Sequence, residues 1–352
     1  MAVPSTLQAW QMTSPERPLE LRELPIPALG PGELLIEVAG CGLCHTDLSF
    51  LYGGVRTKKE PPLTLGHEFS GTVVATGAGA TLTVGQTVLV PAVLPCGECE
   101  LCETGHGRAC REQIMPGNDL DGGFATHAVV PGRFVCPVDP GSFELWELGV
   151  VADAVSTPYQ AMERAEVAAS DVVIVLGVGG IGTYAVQIAA ARGAHVVAVD
   201  IDAGKLERLR SFGAETCVDV NGLDTRAAKD AVRQAVVGLG VSRHAWKVFE
   251  MSGTSAGQAL AYELLTFGGI VGFIGFTPEK IPVRLGNLMA FDAMVFGNWG
   301  CLPEHYPPAL SLVLSGAVQI RPFIERFPLS DINEVLERAR HHQLSARAVL
   351  VP

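Results

Sequence analysis

Positive charge is scarce in this chain: 25 Lys and Arg stand against 37 Asp and Glu, for a net charge of −12. Nucleic acid and anionic membranes repel such a surface unless a basic patch overrides it. The nearest thing to a patch is the short run Arg56–Lys59. No apolar run approaches the ~20 residues needed to span a bilayer. Residues 1–18 lack a basic segment followed by an apolar one, so no secretion leader is expected and a cytoplasmic location is. Charged residues make up only 18% and hydrophobic residues 48%, which excludes a disordered chain and supplies a full core. The 352 residues suit about two domains.

Cysteine is plentiful. In a reducing compartment nine cysteines read as thiols or metal ligands rather than disulfides. Six of them, at 41, 44, 96, 99, 102 and 110, fall in the first third. By itself the Cys-x-x-Cys at Cys41 and Cys44 fits a redox pair, half a metal knot, or chance. The second group is more specific: Cys96, Cys99, Cys102 and Cys110 follow C-x2-C-x2-C-x7-C in a Gly-rich polar loop. Four thiolates can close a tetrahedral zinc shell, leaving no position for substrate and ordering a loop with little core of its own. Free thiols, an iron–sulfur cluster and a nucleic-acid zinc ribbon are the rivals. Cluster ligand spacings differ from this one, and the acidic chain argues against the ribbon.

Texture divides the chain. Residues 1 to about 150 are rich in Gly, Pro and short β-branched runs; "GELLIEVAG", "SGTVVATG" and "QTVLVPAV" read as strands of a barrel-like unit. A helical stretch, "FELWELGVVADAVSTPYQAMERA", follows. From Asp171 strands and helices alternate, beginning with the continuous apolar strand "DVVIVLG". That repetition predicts a doubly wound parallel sheet, hence an α/β protein. The tail "FPLSDINEVLERARHHQLSARAVLVP" closes on a helix and a short strand.

Directly after "DVVIVL" comes Gly177-x-Gly179-x-x-Gly182, with Gly180 inside it, opening a helix. The next strand, "HVVAVD", ends in Asp200, eighteen residues beyond Gly182. A lone GxGxxG is weak; strand, helix and acidic residue in this order make a dinucleotide site. Asp200 accepts from the adenosine ribose hydroxyls and repels a 2′-phosphate, which favours NAD over NADP. Asp202 adds to the repulsion and Lys205 offsets it slightly.

Taken together, "GCGLCHTD", "GHEFSGTVVATG", the four-cysteine lobe, "GVGGIG" with Asp200, and the terminal "ARAVLVP" resemble the zinc-dependent medium-chain alcohol dehydrogenase family, in that family's order and over nearly the whole chain. The resemblance implies a GroES-like catalytic domain, residues 1–152 and 300–352, and a Rossmann NAD-binding domain, residues 153–299. It implies two zinc ions per chain, a structural one in the lobe and a catalytic one on Cys44 and His67. The third catalytic ligand is usually a cysteine four residues before the Thr of Thr-x-Tyr. Here, before Thr157-Pro158-Tyr159, that position is Asp153, a harder donor of the same formal charge. Glu68 is implied as an exchange ligand or second-layer group, Thr46 as partner of the substrate oxygen, and His45 and Arg347 as cofactor contacts. Cys41 is left as a packed residue. The His that ends the family's proton relay is replaced by Ser49.

The implied reaction is hydride transfer between a secondary cyclic alcohol and the nicotinamide. "PPLTLGHEFSGTVV", "PAVLPCGECELC" and "MPGND" further resemble the branch acting on a cyclic hydroxyacyl-CoA thioester. Arg56, Lys58 and Lys59 would then meet CoA phosphates, while a solvated charged loop explains them equally well. A dehydrogenase of free cyclic or allylic alcohols, a zinc-poor enone reductase and a non-enzymatic nucleotide binder remain open. A homodimer or homotetramer is implied, joined through the nucleotide domains near "DAMVFGNW".

Overall fold

The structure is a computed structural model and describes residues 4–352; the first three residues of the stretch read for a leader lie outside it. The chain divides into two units. The first runs through Ser156 and takes in Gly300–Leu314 and Ile320–Pro352; the second comprises Thr157–Trp299 and Ser315–Gln319. The return of residues 315–319 to the second unit was not anticipated. Its cause is Gln187, whose amide accepts from the Gln319 N–H at 2.7 Å and donates to the Gln319 carbonyl at 3.2 Å.

A seven-stranded sheet organises the first unit, in the order Ile324–Pro328, Arg347–Val351, Glu33–Gly42, Glu68–Thr76, Thr87–Val90, Cys136–Pro137, with His127–Pro131 also paired to Glu33–Gly42. A three-stranded sheet of Glu20–Pro25, Thr6–Met12 and Leu63–Thr64 accompanies it. The three strands read from sequence are the sheet's centre. Leu34, Ile36, Val38, Phe69, Val73, Val88 and Val90 join its core. The register decides function here. Gly42 pairs with Glu68 across antiparallel strands, so Cys44, just past one strand, lies beside His67, just before the other. Gly42 must be glycine, since a Cβ there would overlap the Glu68 carboxylate.

The stretch 143–165 is not one helix. A 3-10 segment, Leu145–Ala152, ends at Asp153 (φ −138°, ψ −60°), and an α-helix begins afresh at Ser156–Arg164. The break turns Asp153 out of the helical ladder.

In the second unit six parallel strands lie in the order Thr216–Asp219, His195–Asp200, Val172–Leu176, Lys247–Glu250, Ile270–Phe273, Met294–Gly297. Strand Val172–Leu176 is wholly buried, as an apolar run covered on both faces must be. The chain winds outward from it in both directions, so the crevice at its carboxyl end is the switch point where dinucleotides bind. No described helix is long and apolar enough to cross a membrane.

Candidate metal centres and dinucleotide site

Cys44 Sγ lies 3.4 Å from Asp153 Oδ2, and His67 Nε2 lies 3.5 Å from the same oxygen. A tetrahedral zinc with bonds of roughly 2.0–2.3 Å has S–O, S–N and N–O edges of roughly 3.3–3.6 Å. Both edges to Asp153 fall in that range, and the three donor atoms lie within 4.8 Å of one another, so they could hold a single zinc, which would leave its fourth position for substrate. His67 is 2% exposed, and its Nδ1 lacks an aligned hydrogen bond, although Asp47 Oδ1 is 3.4 Å away. Burial alone would depress the imidazole, yet Asp47 first and Asp153 after it raise it well above its ordinary value. The pocket thus attracts positive charge.

Asp47 escaped the sequence reading. Its fully buried carboxylate accepts from the Cys44 N–H (3.0 Å) and the Gly66 N–H (3.2 Å) as it faces His67, fixing the two loops that carry Cys44 and His67. A carboxylate behind a metal-bound imidazole orients the ring. The available signal was the capping position, three residues after Cys44 at the start of helix His45–Leu51.

Glu68 and Arg347 stand together behind this cluster. The guanidinium donates to both carboxylate oxygens, one at 2.7 Å, and approaches Asp153 Oδ2 at 3.8 Å. Burial pushes the Glu68 carboxyl up to about 7, and Arg347 is the main opposing pull. Arg347, expected as a cofactor contact, is committed to this pair with 7% of its side chain exposed. Thr46 presents its hydroxyl 3.7 Å from Cys44 Sγ. His45 stacks on His342, ring centroids 6.2 Å apart. Ser49 donates back to the His45 carbonyl (3.0 Å), a bond internal to its helix. Cys41 is fully buried in the core, and burial pushes its thiol well up.

In the lobe, Sγ–Sγ distances of 3.8 Å (Cys96–Cys102), 3.6 Å (Cys99–Cys102) and 3.8 Å (Cys99–Cys110) match the roughly 3.8 Å edge of a zinc tetrathiolate. Backbone N–H groups of Glu98 and Cys99 donate to Cys96 Sγ. The Glu98 bond leads in pulling that thiol down to about 7, while desolvation pushes Cys102 up to about 12. The short helices Glu100–Glu103 and Gly107–Ala109 bury no residue, so packing alone does not order the lobe.

The glycine motif sits where the sequence placed it, between strand Val172–Leu176 and helix Gly182–Ala191. Gly177 has φ +85°, and a Cβ on Gly182 would overlap the Gly177 carbonyl. A Cβ on Gly179 would point into open space, the room a pyrophosphate needs. Asp200 Oδ2 accepts from the Val178 N–H at 2.7 Å, tying the acidic residue to the loop. Asp202 caps the next helix and lies 3.7 Å from Lys205.

The basic loop is less free than the sequence suggested. Lys58 pairs with Asp119 (2.8 Å) and Lys59 with Asp121 (2.5 Å), so both charges intended for CoA phosphates are already neutralised.

Residues 30–140 match the alcohol dehydrogenase GroES-like domain, and residues 180–315 the zinc-binding dehydrogenase model. An alcohol dehydrogenase of Geobacillus stearothermophilus is 31% identical over 95% of this chain and 96% of its own. The chain belongs to the zinc-dependent medium-chain alcohol dehydrogenases. Among solved structures, a cobalt- and zinc-bound thermostable alcohol dehydrogenase from Pyrobaculum aerophilum has a TM-score of 0.85 at 26% identity, covering 99% of this chain and 100% of that one. The acetophenone reductase of Geotrichum candidum NBRC 4597, in complex with NAD, has a TM-score of 0.85 at 28% identity over 100% of this chain and 99% of its own. The protein is thus an oxidoreductase acting on CH–OH groups, with a GroES-like domain and a Rossmann sheet.

Proposed function

We propose that this dehydrogenase interconverts a secondary, cyclic alcohol and its ketone with NAD and two zinc ions per chain. The observation that carries the reading is the convergence of Cys44 Sγ, His67 Nε2 and Asp153 Oδ2 at zinc-edge distances with the Thr46 hydroxyl beside them. When bound, catalytic zinc supplies a Lewis acid for the substrate oxygen, and NAD a hydride acceptor. The chain's residues do the rest. Cys44, His67 and Asp153 hold the metal; Asp47 fixes the loops carrying the first two. Thr46 hydrogen-bonds the substrate hydroxyl and accepts its proton. Ser49 is turned into its own helix, so that proton leaves Thr46 by water or a cofactor hydroxyl.

Gly177, Gly179, Gly180 and Gly182 cradle the pyrophosphate with His45 as a further contact, while Asp200 and Asp202 select NAD by repelling a 2′-phosphate. Zinc analysis and NADH formation over a panel of alcohols test the reading: about two zinc per chain and turnover with NAD in preference to NADP are expected. Two complete ligand sets favour the dehydrogenase over a zinc-poor enone reductase or a non-enzymatic nucleotide binder.

The narrower reading of 6-hydroxycyclohex-1-ene-1-carbonyl-CoA as substrate rests on the segment resemblance and on Arg56, since Lys58 and Lys59 are ion-paired. Comparing the CoA ester with the free cyclic or allylic alcohol decides between them; equal kcat/KM would remove the CoA reading. All nine cysteines are free, in keeping with a cytoplasmic location. Strand Met294–Gly297 is a sheet edge, and Leu285, Met289 and Met294 near it are 68%, 82% and 48% exposed. An unpaired edge beside apolar surface supports a homodimer, or a tetramer built from it, joined there.

A further inference from the structure

Glu250 closes the strand next to the glycine motif and is completely buried. Its two carboxylate oxygens are treated unequally. Oε1 accepts from the Ser252 N–H (2.8 Å), the Gly253 N–H (3.1 Å) and the Ser252 hydroxyl. Oε2 has no partner. A buried carboxylate oxygen without a donor is costly, and a fold that keeps one is using the other oxygen. Here the other oxygen pins the turn 252–253, and the turn is what Gly177 touches. A Cβ on Gly177 would meet Ser252 N at 2.5 Å, and one on Gly275 would meet Glu250 Oε2 at 2.7 Å. A Cβ on Gly257 would meet Glu250 Oε1 at 2.7 Å. The carboxyl is thus enclosed at the crevice where the phosphate loop begins.

We propose that Glu250 is a positioning residue of the dinucleotide site: its carboxyl clamps the Ser252–Gly253 turn against Gly177 and so sets the wall on which the phosphate loop closes. The inference rests on the reading of Gly177–Gly182 as that loop. It adds a proton to cofactor binding. Burial pushes the Glu250 carboxyl up to about 7, only partly offset by the Ser252 and Gly253 donors, and no charged side chain contributes to the shift from any element packed on it. With Oε1 occupied by three donors, the proton sits on Oε2. Below pH 7 the carboxyl is neutral; above it the carboxylate repels the doubly charged pyrophosphate, so binding weakens as pH rises.

The test is NADH binding by the full-length protein, followed by fluorescence from pH 6 to 8. For the wild type the Kd is expected to rise about three- to tenfold across that range. Glu250→Gln keeps the acceptor and cannot ionise, so its Kd stays within about threefold of wild type at pH 6 and flat with pH. Glu250→Ala loses the clamp and weakens NADH about tenfold, with zinc content unchanged. If that variant does not fold, Ser252→Ala, which removes one donor from Oε1, is expected to weaken NADH about threefold. Gly182→Ala serves as the control on the underlying reading. If it binds NADH like the wild type, the glycine loop is not the site and that reading falls. If it fails to bind while Glu250→Ala or Ser252→Ala binds normally, or while Glu250→Gln keeps the wild-type pH profile, Glu250 does not position the cofactor.

Discussion

Asp153 stands where the family resemblance expects a thiolate. As a ligand, a carboxylate would keep the formal charge of the proposed set and donate less density, so a zinc held there would be a stronger Lewis acid and less firmly bound. Asp153→Cys should therefore slow zinc loss to a chelator by about tenfold, and Asp153→Ala should lower the zinc content from two to one per chain, both read by metal analysis. A second residue carries backbone strain: His342 ends helix Ile332–Arg340 at φ +55°, a region glycine occupies without cost. His342→Gly should leave stability unchanged or raise it by up to ~1 kcal/mol, seen as a Tm gain of about 1–2 °C. A loss of that size instead would show that the stack on His45 outweighs the strain. The residues legible in sequence were those whose neighbours in the chain announce them: Cys44, the four lobe cysteines, the glycines and Asp200. Asp47 and Glu250 were not, because a carboxyl's burial and its donors come from distant segments. Lys58 and Lys59 show the same limit; their charges were visible, but the carboxylates that neutralise them lie some sixty residues on.

Elements place these residues through a few irregular devices. Regular strands and the βαβ alternation were readable from period and punctuation. The interruption at Asp153 was not, since "VADAVSTPYQ" reads as continuous helix until tertiary bonds break it. Three donors hold the break: the Ala152 carbonyl accepts from the Tyr306 hydroxyl (2.7 Å), the Ser156 hydroxyl (3.1 Å) and the Ala92 N–H (3.4 Å). Tyr306, at the start of helix Tyr306–Leu314, in turn accepts from the Ala92 N–H at 3.1 Å, 214 positions earlier in the chain. Tyr306→Phe should cost about 1–2 kcal/mol, the loss of one buried hydroxyl shared by two backbone groups. It should also speed zinc release from the Asp153 site while the lobe keeps its metal. Equal release from both sites would place the effect on global stability and not on the ligand.

Across the whole molecule, ligands and cores are distributed unevenly, and that governs how binding couples to folding. Both candidate metal-ligand sets belong to the first unit, with its own core around Leu34, Phe69 and Leu350; the glycine motif belongs to the second, with its core around Ile174, Val197 and Val248. A ligand stabilises the fold that binds it by RT ln(1 + [L]/Kd), about 4 kcal/mol at a thousandfold excess over Kd. The lobe's two short helices bury no residue, so a metal on its four thiols would supply order that packing does not. Cys110→Ser, which opens the closed thiolate shell, should therefore lower the thermal transition of the first unit by several degrees and expose residues 96–110 to proteolysis. Added NADH should still raise the transition of the second unit in that variant, because the glycine loop, Asp200 and the Glu250 clamp are untouched. Calorimetry with and without NADH separates the two responses. If a single transition responded both to the lobe zinc and to NADH, the two units would be shown to unfold as one cooperative block.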